Sequence, residues 1–396
     1  MESAYIMGLR RSRFEGFGMG KIRDIFQDHW DVFVSNNPNK IRDSVKKEVH
    51  KMLGCGRIEN GFTVYKCPSC ENEVLVPFTC KSRFCTSCGK LYRDKWAEKL
   101  ESRLINCPHR HIVFTIPREL RIYFRKDRTL LKDLSDTAAL VLKETIYEMN
   151  KSQRFETGII SVIHTFGRDL KWNPHVHIIM AMRCLGETED RTMRYLNYKK
   201  LRMFWQKALL DVMKKKVEDN KIRSVINRLY RDKENGFYVY AKGEITDLGI
   251  ITKYLARYSS RPAIAESRIV EYDGKRVTIK YTPHGETKEV QETMSASEFI
   301  ERLIIHIPDT NFKMIRNYGI YARNNQRARR IERRLITREQ YLRIKQTKTW
   351  QLRLMLDYNR NPLKCSCGTL MKRDDIVVPW EREKIERYKW KGQNAG

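Results

Sequence analysis

The residues best suited to chemistry are three histidines near the middle of the chain. His175 and His177 are one residue apart and lead into an apolar run, which predicts the start of a β-strand. Alternate residues of a strand point to one face, so both imidazoles would project together. His164 lies eleven residues before His175 in a second apolar, strand-like run. If the two runs pair as antiparallel neighbours, three imidazoles converge on a divalent-cation site; the alternative for His164 is a hydrogen-bonding histidine of the core.

A pair of tyrosines offers a nucleophile for such a site. Tyr254 and Tyr258 are four residues apart in a predicted helix that follows Asp247 and precedes Pro262. Both hydroxyls would therefore lie on one helix face, as they would also in simple packing. A cation held by neutral imidazoles would polarise a phosphodiester, and a tyrosine oxygen could attack its phosphorus. The covalent link would keep the bond energy for later rejoining, and two tyrosines would permit two successive transfers.

The charge of the chain indicates a polyanionic partner. Among 396 residues, 78 are Lys or Arg and 48 are Asp or Glu, which gives a net charge of +30. Phosphate contacts by such cations release counterions and favour nucleic-acid binding. The most basic segment runs from Arg316 to about Leu354 and is predicted to be helical. Arginines predicted to contact DNA are Arg83, Arg257, Arg261, Arg268, Arg327, Arg329 and Arg330.

The cysteines predict structural zinc. Two Cys-x-x-Cys knuckles, Cys67–Cys70 and Cys85–Cys88, are separated by fourteen residues, and we expect their four thiolates to hold one zinc ion. Cys80 could replace one ligand, and Cys55 with Cys80 could help to hold a second ion or be buried free thiols. Cys365-Ser366-Cys367 resembles half a knuckle, and two ligands cannot close a site alone.

The order of elements predicts an α+β fold. Strand-like runs separated by helices, with antiparallel pairing of the histidine strands, favour a sheet layered with helices. We expect a helical segment at 1–54, a cysteine-rich zinc module at 55–105, a nuclease domain at 106–325, and a basic helical C-terminal region at 326–396. No run is long enough for a signal peptide or a membrane span, so an intracellular protein with reduced cysteines and no membrane partner is expected.

These motifs together resemble the insertion sequence 91 family of transposases. The resemblance covers roughly residues 20 to 325. It is carried by the cysteine stretch 80–88, by His164-Thr165-Phe166-Gly167, and by Asn173-Pro174-His175-Val176-His177. It continues through the tyrosine stretch 254–268 and the stretches 307–309 and 312–319. These transposases are HUH enzymes, named for a His-hydrophobe-His motif, with two tyrosines.

The resemblance implies a nuclease domain with a central antiparallel sheet flanked by helices and rolling-circle-type movement of single-stranded DNA. It implies His175 and His177 as ligands of Mg²⁺ or Mn²⁺, and Tyr254 and Tyr258 as nucleophiles. Expected partners are hairpin-containing transposon ends, target DNA and host replication or helicase factors, in the bacterial cytoplasm with the nucleoid. Two alternatives are a catalytically inactive zinc-containing DNA-binding protein and a three-histidine metal hydrolase. The sequence gives no oligomeric state.

Overall fold

A computed structural model describes residues 20–101, 104–105, 107–150, 153–247, 249, 252, 263–283, 285–323, 325, 342, 351–352, 355 and 361–393 of the chain. The architecture is α+β, with antiparallel sheets covered by helices, as the sequence predicts. None of the helices within these ranges combines the length and apolar character that crossing a bilayer would need.

Two helices that pack together open the described chain. Helix α1 (Lys21–Asn36) buries an i, i+4 series that includes Phe26 and Trp30, which makes it amphipathic. Helix α2 (Asp43–Leu53) buries Val45, Val49 and Met52 on the same principle. Helix α3 (Thr86–Glu101) follows the second Cys-x-x-Cys knuckle. Short 3-10 turns occupy Ile58–Asn60, Arg118–Leu120 and Glu266–Arg268.

The central sheet positions the histidines. Its strands are β3 (His109–Thr115), β4 (Glu156–Phe166), β5 (Trp172–Leu185), β6 (Asp190–Thr192), β7 (Val239–Ile245) and β11 (Ile315–Gly319). The spatial order is β11–β4–β5–β3–β7, with β6 beside β5, and every pairing is antiparallel. Strands β4 and β5 are joined by a short turn, so their pairing is local, whereas β3 reaches β5 from far along the chain.

The two faces of this sheet have different cover. Val176, Ile178 and Met180 of β5 point into a core beneath α4 (Arg121–Lys126), α5 (Leu130–Met149), α6 (Tyr198–Lys216) and α7 (Ile222–Asp232). The intervening residues point to the opposite face, where Leu100 of α3 packs in one cluster with Ile179 of β5. The apolar run of β5 therefore fills two cores, which explains its near-continuous hydrophobicity.

A second sheet packs on the N-terminal helices. Strands β8 (Ile269–Tyr272), β9 (Arg276–Tyr281) and β10 (Val290–Ser295) form an antiparallel meander. Helix α8 (Ala296–Ile304) follows, and the hydroxyl of its N-cap Ser295 accepts a hydrogen bond from the Glu298 N–H at 3.1 Å. Residues of α8, β9 and α1 share one core cluster.

A third sheet joins the two ends of the described chain. Its strands are β1 (Phe62–Lys66), β2 (Glu73–Pro77) and β12 (Lys372–Val377), with β1 in the middle. Helix α9 (Arg382–Gln393) packs on this sheet, where the Tyr388 ring meets the Phe62 ring edge-on at 5.3 Å between centroids.

Two predictions about the C-terminal half need correction. The segment from Arg316 is expected to be helical, but 315–319 forms β11, because pairing with β4 buries its residues better than a solvated helix would. A separate helical region is expected at 326–396. Among the described residues of that region, 372–377 forms a strand that pairs with β1 of the zinc module, whereas 342, 351–352, 355 and 382–393 are helical. Residues 326–341 lie outside the described ranges.

Candidate functional site

Strand register brings the three predicted histidines together. His164 of β4 lies directly opposite His175 of β5, and His177 follows two positions along the same face. The ring centroids of His164 and His177 are 3.9 Å apart, and that of His175 is 5.2 Å from His164 and 4.9 Å from His177. One nitrogen from each ring lies within 4.8 Å of the other two. This convergence matches the arrangement expected from the spacing of the histidines.

Burial keeps these imidazoles neutral. His164 and His177 are only 2% and 5% exposed, and burial lowers the pKa of both rings well below the ordinary value. Neighbouring histidines lower both values further. Burial likewise lowers the pKa of His175 to about 4. Neutral rings with available lone pairs are the form in which histidine binds a metal.

Backbone contacts orient one ring of the set. His175 Nδ1 lies 2.7 Å from the Asn173 carbonyl oxygen. A carbonyl only accepts, so Nδ1 carries the proton and donates it, which leaves the Nε2 lone pair for a cation. The donor set, its closeness and its neutral state therefore fit a divalent metal ion.

A fourth histidine stands behind the site and was not among the predicted ligands. His111 Nε2 on β3 lies 2.9 Å from His177 Nδ1, and the two rings are stacked 7° from parallel. If Nδ1 of His177 donates to this nitrogen, the Nε2 of His177 faces the cation. His111 begins an apolar, strand-like run at 111–116, but the sequence does not show that this strand is the neighbour of β5.

An arginine also approaches the site without a sequence signal. The indole Nε1–H of Trp172 donates to the Arg121 carbonyl at 2.9 Å, which holds the start of α4 against β5. The positive charge of Arg121 contributes to lowering the pKa of His175, although burial is the larger cause. The Nε of Arg121 is buried and has no hydrogen-bond partner among the described residues.

The predicted nucleophiles and several predicted DNA-contacting arginines are not among the described residues. Tyr254 and Tyr258 lie outside the described residues, as do the predicted DNA contacts Arg257, Arg261, Arg327, Arg329 and Arg330. The chain enters that stretch from β7, whose last residue Ile245 is paired with His109, two positions along β3 from His111.

The two remaining predicted arginines have different settings. Arg83 lies with its guanidinium 5.0 Å from the ring centroid of Tyr92 and donates to that hydroxyl at 3.2 Å. Tyr92 is 40% exposed, so this pair presents a cation and an aromatic face to solvent. Arg268 instead donates its Nε to the Lys280 carbonyl at 2.9 Å and an Nη to the Arg168 carbonyl. Those bonds favour a structural role for Arg268 in place of the predicted phosphate contact.

The cysteines form a different grouping from the predicted one. Cys85 and Cys88 do not meet Cys67 and Cys70; they meet Cys55 and Cys80, with all four sulfurs within 4.8 Å. Cys88 Sγ lies 3.6 Å from both Cys55 Sγ and Cys80 Sγ. The expected single site is therefore corrected, because β1 and β2 carry the first knuckle away from the second. Cys55 and Cys80, expected as auxiliary ligands or free thiols, complete a four-thiol cluster.

Hydrogen bonds hold the chain segments around this cluster in place. The Cys80 N–H lies 3.3 Å from Cys55 Sγ, and the Ser82 N–H lies 3.4 Å from Cys80 Sγ. Arg23 of α1 donates to the carbonyls of Cys55 and Leu53 at 2.9 and 2.5 Å, which fixes the end of α2 beside the cluster. Hydrogen bonds from neighbouring thiols lower the pKa of Cys88, which favours a thiolate. Four thiols in a closed shell fit a structural zinc ion.

Two family models and two known transposases match this chain. Residues 158–329 match a family described as "Putative transposase", and residues 25–116 match one described as "Transposase zinc-binding domain". The transposase for insertion sequence element IS801 of Pseudomonas savastanoi pv. phaseolicola is 31% identical over 298 residues, covering 71% of this chain and 71% of that protein. A "Putative transposase y4qJ" of Sinorhizobium fredii is 23% identical over 320 residues, covering 76% and 79%. No solved structure matches.

Proposed function

This chain belongs to the insertion sequence 91 family of transposases, and we propose that it nicks and rejoins single-stranded transposon ends through 5′-phosphotyrosine intermediates. The observation that carries the proposal is the convergence of His164, His175 and His177 on one face of the central sheet. The mechanism is of the rolling-circle type, and the substrates are hairpin-containing ends and target DNA. Transposition would occur on DNA of the bacterial nucleoid, with host replication or helicase factors supplying unwinding.

The three imidazoles fit a catalytic Mg²⁺ or Mn²⁺ ion. When bound, such an ion polarises the scissile phosphodiester and neutralises charge that develops on its oxygens. His175 would present Nε2 because the Asn173 carbonyl fixes its Nδ1 proton. His177 would be held by His111 at 2.9 Å. Three protein donors would leave room for phosphate oxygens at such an ion.

Arg121 would contribute the positive charge of the protein itself. Its guanidinium lies close enough to His175 to depress the pKa of that ring. Arg121 as a whole is partly exposed, so its guanidinium would be available to donate to a substrate phosphate. Arginine binds phosphate through parallel N–H donors, so Arg121 would orient the scissile group relative to the histidines.

Tyr254 and Tyr258 would be the nucleophiles, by resemblance to the family. The phenol oxygen attacks the phosphorus and forms a phosphotyrosine bond, while the bond to the 3′-oxygen breaks and that oxygen leaves as a hydroxyl. In the reverse step a 3′-hydroxyl attacks the phosphotyrosine and releases the phenol. Tyr254 lies nine positions after Ile245. Even a helical path of that length spans roughly 14 Å, and an extended one about 30 Å. Ile245, where this path begins, is paired with His109, and His109 lies only two positions, about 7 Å along β3, from His111 beside the metal site. A path of either length is therefore long enough to reach the histidines.

Binding of DNA would involve the zinc module as well. Arg83 stacked on Tyr92 offers a cation and an exposed ring beside the Cys85–Cys88 knuckle. Single-stranded DNA is gripped by positive grooves and by stacking of bases on aromatic side chains. The net charge of +30 would add electrostatic attraction to the phosphate backbone of the DNA.

A covalent adduct tests the proposal. The full chain is incubated with single-stranded end DNA and Mn²⁺, and a protein–DNA band that survives denaturation is expected. The Tyr254→Phe, Tyr258→Phe double variant should abolish that band, and His175→Ala should reduce both the adduct and the nicked product. Tyr195→Phe is a matched control because Tyr195 is 65% exposed on the surface. Nicking that persists in the double tyrosine variant would refute the tyrosine mechanism.

A further inference from the structure

A second cluster of four cysteines lies apart from the histidines and the first cysteine cluster. Cys67 Sγ is 3.5 Å from Cys367 Sγ, and Cys70 Sγ is 3.5 Å from Cys365 Sγ and 3.6 Å from Cys367 Sγ. All four sulfurs lie within 4.8 Å of one another. Four thiolates at about 2.3 Å from a tetrahedral zinc would lie about 3.8 Å apart, close to these separations.

The cross-contacts favour one shared ion over two disulfides. A disulfide joins two sulfurs at about 2.05 Å, whereas Cys70 Sγ lies equally near Cys365 and Cys367. All four residues are free thiols in the structure. Each sulfur thus contacts the opposite pair, as ligands around a common centre do.

Both pairs are presented by tight turns. The Cys67 N–H donates to the Asn72 carbonyl at 2.8 Å, and the intervening turn places Glu71 at φ 58°. The Cys365 N–H donates to the Thr369 carbonyl at 2.9 Å, and Gly368 takes φ 89°. Two turns of one design, facing each other, give the two-plus-two donor set of a zinc knuckle pair.

The surroundings suit a negatively charged metal centre. Zinc with four thiolates carries a net charge of −2, and the shallow cavity beside Cys67 is lined by three cations, Lys66, Lys372 and Arg373, against two carboxylates, Glu71 and Asp374. On the inner side, Leu363 and Met371 are buried against Cys67 and exclude water. The Asn72 amide nitrogen lies 3.7 Å from Cys365 Sγ and can donate to it.

We propose that Cys67, Cys70, Cys365 and Cys367 bind a second structural zinc ion, which holds the turn 365–369 and β12 against β1 and β2. Half of these ligands lie outside 25–116, the region that matches the zinc-binding family. Cys70 and Cys365 are 295 residues apart, so the ion joins the two ends of the described chain. The described residues before the basic stretch 326–360 include β11 of the central sheet, and those after it carry Cys365 and Cys367.

Zinc content of the purified full chain tests the site, independently of any DNA activity. Elemental analysis should give two zinc ions per chain in the wild type and one in the Cys365→Ser, Cys367→Ser variant. Cys107→Ser is the matched control and should keep two, because Cys107 belongs to neither cluster. Cobalt substitution should show the visible bands of tetrahedral thiolate coordination, with half the intensity in the double variant.

Hydrogen exchange tests whether the second zinc ion holds β12 against β1. Amides of β12 and of its partner β1 should exchange faster in the double variant, while those of β4 and β5 keep their protection. Cys367→His, which restores a zinc donor at an exposed position, should retain the second ion and slow exchange. One zinc in the wild type, or two in the double variant, would overturn the proposal. Nicking failure with two zinc ions present would count against the proposed function alone.

Discussion

Removing the imidazole behind the metal site should weaken metal binding without changing any ligand. His111 Nε2 lies 2.9 Å from His177 Nδ1, and both rings are at most 5% exposed. In His111→Ala, His177 would lose this hydrogen bond. Replacing a partner of a metal-ligating histidine typically lowers metal affinity by about 10- to 100-fold.

Isothermal titration of Mn²⁺ into the full chain measures this effect directly. We expect the Kd to rise by about one to two decades in His111→Ala. His111→Gln offers an amide oxygen as acceptor and should recover most of the affinity. His50→Ala, at an exposed position of α2, is the control for loss of a histidine from the protein. Nicking assays should show the loss mainly as a higher Mn²⁺ requirement, with a smaller change in the rate at saturating metal.

An unchanged affinity for Mn²⁺ would contradict the role expected of His111. If His111→Ala binds Mn²⁺ within about twofold of wild type, His111 is not a positioning residue. If Ala and Gln weaken binding equally, the ring contributes shape and not a hydrogen bond. Unfolding by urea distinguishes a general loss of stability, because a merely structural role would lower the midpoint in both variants and leave the Kd of the folded protein unchanged.

Three further predictions concern stability, pH and phosphate binding. Gly319→Ala should lower the free energy of unfolding, measured in urea, by more than about 2 kcal/mol, because the added Cβ would lie 1.9 Å from the Thr157 carbonyl oxygen of β4. Gly274→Ala, whose Cβ would meet no atom within 4 Å, should lower it less. Burial lowers the pKa of His109 to about 4, so between about pH 6.5 and 4 the unfolded chain takes up a proton at this residue and the native chain does not. This difference should lower the free energy of unfolding by up to about 3 kcal/mol over that range, and the His109→Asn variant should lack this part of the pH dependence. Arg121→Gln should lower kcat/KM for nicking by about 10- to 100-fold, and the exposed Arg118→Gln should not.

The histidine site could be predicted because its decisive pairing is local. A short turn joins β4 to β5, and in such a hairpin the apolar alternation leaves little freedom of register. His164 therefore meets His175 for reasons visible within about fifteen residues of sequence. The contribution of His111 depends on which strand lies on the other side of β5. That order is set by packing of the whole sheet on α5 and α6, which single-sequence periodicity does not encode.

The cysteine grouping could not be predicted for the opposite reason. Spacing within each knuckle is local, but the choice of partner knuckle depends on distant chain segments. Cys55 and Cys80 are recruited by the packing of α1 and α2, and Cys367 arrives from 300 residues away. A fourteen-residue interval between knuckles is compatible with one shared ion, yet the first knuckle lies in the turn between β1 and β2, and β2 leads away from it before the second knuckle begins.

The division of one sheet face explains how the histidine site can be both rigid and accessible. The far half of that face is covered by α3, whose Leu100 packs in a cluster with Ile160, Val162 and Ile179. Val162 lies directly opposite His177, so the imidazoles begin where the apolar cover ends. His164 and His177 are buried, whereas His175 is partly exposed. A polyanionic strand would reach a cation from the His175 side, where Arg121 stands, and the buried pair would resist displacement as the strand is exchanged.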